Sequence, residues 1–250
     1  MFERQEVGTG PTLAVTLHRA FLKNDILQLF RDPKILHHNL DITIKSLSGR
    51  KEEGKGVGMI REVLTTLWNE CFSSLTVGTI EKVACVRHDY KQSEWEAIGR
   101  VLVYGYFVAR FFPITLCRAF VYTLFFEEES LTPDCLFESF KLFISEDLDP
   151  NDDDLLEFLS SFKCYKSPTL DNIKTLMNEL AFQEIVQKPR YIVDCLSPVL
   201  AALRVFPPFQ TLNDLELFYV AKKPSPKKVI KLLSADPQPR SEEHTSELQS

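Results

Sequence analysis

The stretch WEAIGRVLVYGYFVARFF, residues 95–112, decides how this chain folds. Its apolar side chains fall on nearly every face of a helical projection, so a helix here has to be surrounded by other elements. Ser93 with Glu96 supplies a capping-box pattern at its start. Ile98, Leu102, Tyr106, Phe112 and the nearby Phe120 are therefore expected in the core. Trp95 and Gly99 read as packing positions, the glycine permitting a second helix to come close.

Working outward, the segment LAVTLH from Leu13 alternates like a short strand, and from Phe21 the spacing of Leu22, Ile26, Leu29 and Phe30 turns helical. LDITIKSL, residues 40–47, sets Leu40, Ile42 and Ile44 against Asp41, Thr43 and Lys45, the pattern of a half-buried strand. MIREVLTTLWNECF, residues 59–72, aligns Ile60, Val63, Leu64, Leu67, Trp68 and Phe72 as a helix laid on a core. Thr132-Pro133 has the chemistry of a helix start, and Thr211 caps LNDLELFYV. Two further helical stretches, LLEFLSSF and LDNIKTLMNELAFQEIV, lead up to Pro189, while FPPF at residues 206–209 breaks structure. The acidic run at 145–154 reads as a solvated turn feeding carboxylates into the next helix's first turn. Ser225-Pro226 opens KKVIKLL. These segments predict an α+β fold that is mostly helical with a few short strands.

The 250 residues are 44% hydrophobic and 26% charged, enough apolar material for one large core. A formal net charge of -6 gives no general attraction for nucleic acid or anionic membranes, so neither is an expected partner. No apolar run is long enough to span a bilayer and no signal peptide is visible, which points to the cytoplasm or nucleus. The expected organisation is a disordered start at 1–12, one lobe at 13–233 and a disordered tail at 234–250. Within that tail RSEEHTSELQS, residues 240–250, resembles a translated sequencing adapter and is read as an artefact outside the fold.

Six cysteines, Cys71, Cys85, Cys117, Cys135, Cys164 and Cys195, show no C-x-x-C pair and no closely spaced histidine, so zinc and thioredoxin templates both fail. None of the five histidines lies beside a cysteine, and no catalytic residue, cofactor or metal is expected in the chain. The loop from Gly49 to Gly56 approaches a phosphate-binding pattern around Lys55. Gly56 stands where a magnesium-holding hydroxyl belongs, and Glu52 with Glu53 would repel phosphate, so a Gly-rich turn with positive φ is the expectation. The Glu127-Glu128-Glu129 run reads as a solvated helix end, and the lysines at 222, 223, 227 and 228 as an exposed linker.

Taken in order, several segments resemble the amino-terminal lobe of HECT-type ubiquitin ligases. VTLHRAFLKNDILQLF is similar to that domain's opening strand and helix. LDITIKSL leads through a Gly-rich loop to Gly58, Arg61 and Glu62, similar to the family's Gly-Gly-x-x-Arg-Glu signature. Ile98-Gly99-Arg100 resembles the triplet opening the central helix, and residues 191–220 resemble the segment closing the lobe. The chain looks most like the divergent domains of the G2/M-phase-specific ligase group. Val57 replaces the first glycine of the pair, and Lys55 stands where the family usually has aspartate.

The resemblance implies a fragment of a ubiquitin-protein transferase whose parent accepts ubiquitin on a cysteine and passes it to substrate lysines. That cysteine belongs to a separate lobe of roughly 100 residues, expected beyond the truncation, so this fragment is expected to be inactive alone. A ubiquitin-conjugating enzyme is the implied partner, although the subdomain that binds it is shortened here between Asp154 and Pro189. Gly58, Arg61, Glu62, Gly99 and Arg100 are assigned structural roles, with Arg61 and Glu62 fixing the Gly-rich loop against the core helix. The alternative is a non-catalytic helical protein-interaction module.

Overall fold

The computed structural model describes residues 7–52, 56–144, 155–164, 166–169 and 171–223. The acidic run at 145–154, the KKVIKLL segment, the adapter-like tail, and Glu53, Gly54 and Lys55 lie outside the described residues. The described chain is mostly helical, with four short strands among the described residues.

Strands β1 (Thr12–His18) and β2 (Asn39–Lys45) pair in parallel from Thr12 opposite Asn39 to His18 opposite Lys45. A parallel pair needs a crossover, and α1 (Leu22–Leu29) supplies it. Leu40, Ile42 and Ile44 are buried, as the alternation predicts. The strand stops at Lys45, short of the expected Leu47, which is 85% exposed. Residues 7–12, expected as part of a disordered start, include Gly8 and Gly10, whose N–H groups donate to Leu36 O and His37 O at 2.8 Å each.

Helix α2 (Gly56–Ser74) buries Met59, Ile60, Val63, Leu64, Leu67, Trp68 and Cys71 along one stripe. A small antiparallel pair, β3 (Thr76–Val77) and β4 (Val83–Ala84), follows. Then comes α3 (Gln92–Ala109), with twelve of its 18 residues buried. Ile98, Leu102, Tyr106, Phe112 and Phe120 are all 8% exposed or less, as expected.

Both ends of α3 differ from the sequence expectation. The helix begins two residues earlier than a Ser93 cap would set it, because Glu94 reaches back to the Lys91 N–H at 2.9 Å while Glu96 is held by Arg100. It ends at Ala109 instead of running to Phe112. Arg110 adopts the left-handed conformation at φ 51°, and the Phe111 N–H closes onto Gly105 O at 3.1 Å. A non-glycine there costs roughly 1–2 kcal/mol. Its guanidinium packs over the Phe206 ring at 4.3 Å, a cation–π contact that offsets part of the cost.

After α3 come α4 (Arg118–Phe125), α5 (Pro133–Ile144), α6 (Leu155–Ser161), α7 (Ile173–Phe182), α8 (Arg190–Leu200) and α9 (Leu212–Lys222), of which α8 packs most closely on α3. Residues Gln183–Gln187 form a π-helical turn between α7 and α8. Thr132 and Thr211 act as the sequence predicts: their hydroxyls accept from Cys135 N–H at 3.2 Å and Asp214 N–H at 3.1 Å. Buried side chains from Leu17 to Tyr219 belong to one apolar cluster. Phe209 sits at its far end, stacked on Phe125 with centroids 4.7 Å apart and edge-on to Tyr106.

Candidate functional site

Three of the five residues singled out from sequence, Arg61, Gly99 and Arg100, meet at α3, while Gly58 and Glu62 do not. Arg100 is buried, and its guanidinium donates to Phe30 O at 3.0 Å, Arg31 O at 3.2 Å and the Glu96 carboxylate at 2.8 Å. It ties the amino-terminal half of α3 to the end of α1. Arg61, on α2, donates to Ala109 O at 3.2 and 3.3 Å. A cation on the last carbonyl of a helix satisfies an orphan acceptor and opposes the negative end of its dipole. The two arginines therefore hold α3 at separate points.

Glu62 does not pair with Arg61. It accepts from Arg19 at 2.7 Å, and the same guanidinium also bonds Glu52 at the edge of the Gly-rich loop. These hydrogen bonds, first from Glu52 and then from Glu62, raise the Arg19 pKa, and Arg19 in turn lowers that of Glu52. The loop is thus fixed to α2 through Arg19, a residue that carries no sequence signal of its own. Gly49 and Gly56 have φ of 79° and 68°, the positive-φ turn expected for this loop. Gly58 sits in the first turn of α2 with open space where a Cβ would stand.

Gly99 is a true close approach. A Cβ there would lie 3.2 Å from Val199 and 3.3 Å from Leu196, both on α8. Gly105, which the sequence did not single out, does the same toward α2, where a Cβ would meet Leu64 Cδ1 at 2.9 Å. Two neighbours are admitted to α3 by the two glycines.

Four of the six thiols are disfavoured as thiolates by their desolvation. Burial pushes Cys71 up to about 12. It also raises Cys117, Cys135 and Cys195, and the neighbouring Glu81 adds to the rise at Cys117. A thiol held protonated is a poor nucleophile. Among the described residues no three His, Cys, Asp or Glu side chains gather as a metal site, and no helix is long and apolar enough to cross a membrane.

A second polar cluster joins α4 to α9. Glu81 is 5% exposed and accepts from the Arg118 N–H at 3.0 Å, capping α4; desolvation raises its pKa against that hydrogen bond. Arg118 donates to Glu216 at 2.6 Å, and the Tyr122 hydroxyl to the same carboxylate at 2.9 Å. Near the other end of α4, the Glu127-Glu128-Glu129 run is only partly the solvated end that was expected. Glu128 is half-buried and pairs with Arg190 of α8.

No protein-family model and no curated protein matches the chain.

Proposed function

We propose that this chain is the docking portion of a HECT-type ubiquitin transferase, holding partners in place while a separate lobe performs the covalent chemistry. The observation that carries the proposal is the convergence of its two motif arginines, Arg61 and Arg100, on one central helix. Motifs that lie far apart in sequence and secure the same element behave as parts of one frame. The desolvated thiols favour a binding role over a covalent one, since four of them are held protonated by burial. In such a transferase this frame would supply partner binding and a hinge for the catalytic lobe.

A non-catalytic protein-interaction module is the second reading. Leu217 and Val220, 56% and 55% exposed on α9, favour it as an apolar surface that a partner would cover. Sequencing the source transcript past codon 239 separates the two. The transferase proposal requires a further domain carrying a cysteine with apolar flanks, and it fails if the transcript encodes none. With activating enzyme, conjugating enzyme, ubiquitin and ATP, the isolated chain is expected to form no dithiothreitol-sensitive ubiquitin adduct. Such an adduct, lost on mutation of one of the six cysteines, would overturn the docking role.

A further inference from the structure

Two cavities adjoin where the carboxyl-terminal end of α4 meets α8. One offers 280 Å³ and is walled by Phe126, Val186 and Val193; the other offers 420 Å³ and is walled by Leu124, Phe125 and Arg204. They share Thr123, Phe126, Glu127 and Ser197, so together they make one cleft. Its floor is mixed, and the partly exposed Phe126 ring, common to both cavities, gives an aliphatic side chain a place to pack.

The polar groups around this floor are mostly hydrogen-bond acceptors. Glu127, Glu128, Glu129 and Asp194 bring four carboxylates, against the guanidiniums of Arg190 and Arg204. Both cations are already engaged, Arg190 with Glu128 and, at 3.5 Å, with Asp194, and Arg204 with Phe125 O, which leaves Glu127 and Glu129 as the carboxylates not drawn to them. The negative end of the α4 dipole adds to the acidity. Val186 comes from the π-helical turn, a rare backbone form that is frequent at functional sites.

We propose that this cleft binds a basic peptide segment of a partner protein, seating an aliphatic side chain on Phe126 and placing a neighbouring lysine or arginine against Glu127 and Glu129. Electrostatic complementarity of this kind fixes register and speeds encounter. The inference does not rest on the ubiquitin reading, because it uses only the shape and charge of the cleft.

The test is fluorescence anisotropy of the full chain with a fluorescein-labelled nonapeptide of alternating lysine and leucine. Saturable binding is expected, weakening as salt is raised. The double variant Glu127→Gln/Glu129→Gln should weaken it about tenfold, a loss of the size expected from deleting rim charge pairs. Asp41→Asn/Glu138→Gln removes the same net charge from exposed sites elsewhere and should leave binding unchanged. A peptide with glutamate in place of lysine should not bind. The proposal is overturned if binding is absent, if both double variants weaken it equally, or if the glutamate peptide binds as well. All four substitutions are at exposed positions, so the variants should keep the parent melting temperature.

Discussion

Helices α3 and α9 look alike as sequence and end in opposite situations. Each is apolar on nearly every face, yet α3 is enclosed while α9 buries only Leu215 and Tyr219 and turns Leu217 and Val220 outward. The difference lies in their neighbours. α3 has α2 and α8 brought close at Gly105 and Gly99, with Arg61 holding its carboxyl-terminal end and its own Arg100 tying its middle to the end of α1. α9 is attached along one face only, by Leu215, by the Phe218 ring against Tyr106, Phe112 and Phe209, by the Glu216 polar cluster and by Tyr219 donating to Leu116 O at 3.0 Å. Hydrophobicity makes burial favourable; the supply of complementary surfaces decides whether it happens.

If α3 is the enclosed helix, Leu102→Ala should show the largest effect. A fully buried leucine truncated to alanine costs about 2 to 5 kcal/mol. Urea unfolding followed by circular dichroism measures it, and a loss under about 0.5 kcal/mol would place α3 at the periphery. Gly99→Val tests the close approach. Overpacking against Val199 should cost about 1 to 3 kcal/mol, whereas Gly58→Val, with open space at the same atom, should cost markedly less.

Arg61→Met asks how much the carboxyl-terminal cap of α3 is worth. Loss of the hydrogen bonds to Ala109 O should destabilise by about 1 kcal/mol, with amide exchange rising first in the last turn of α3. A smaller effect is expected at the α4 cap. Desolvation raises the Glu81 pKa in the folded state, so the folded protein binds the proton more tightly than the unfolded chain. Stability then increases as pH falls from neutral through the raised value, and stops increasing below the usual carboxylate range. Glu81→Gln, which keeps an acceptor for the Arg118 N–H, should gain on the parent at pH 7.5, and that gain should shrink as pH falls. An unchanged gap across the titration would show that the Glu81 charge contributes nothing. Smallest of all, Leu217→Ser with Val220→Ser should stay within about 0.5 kcal/mol, because both side chains already meet solvent. A loss of several kcal/mol would make α9 as enclosed as α3.

The course of α2 and α3, the buried stripe of β2 and the threonine caps were legible because each is written in local spacing or a single hydroxyl. The ends of α3 were not. Its start turns on which glutamate reaches back, Glu94 or Glu96, and its stop on a left-handed Arg110 stabilised by Phe206, nearly a hundred residues later. Arg61 and Glu62 were found by motif and both were expected to fix the loop, but only Glu62 is linked to it, through Arg19, while Arg61 caps α3 instead. Ala109 O and Arg19 are brought to them by tertiary packing, and neither carries a mark of its own in the sequence. The cleft at α8 was equally hidden. Its rim combines the glutamates at 127–129, Asp194 and a π-helical turn, which no spacing rule connects.

The parallel pairing of β1 with β2 has a consequence for the nascent chain. Two strands alone are marginal in water, and the Leu40 N–H finds its buried acceptor in the Tyr104 hydroxyl at 3.0 Å. Ribosomes add about 5–20 residues each second, so β2 waits several seconds for its cover to be synthesised. During that interval Leu40, Ile42 and Ile44 are an unshielded strand of the kind that seeds intermolecular pairing. Asp41 and Lys45, on the same seven residues, place charge between and beside those aliphatic side chains and serve as gatekeepers until α3 arrives.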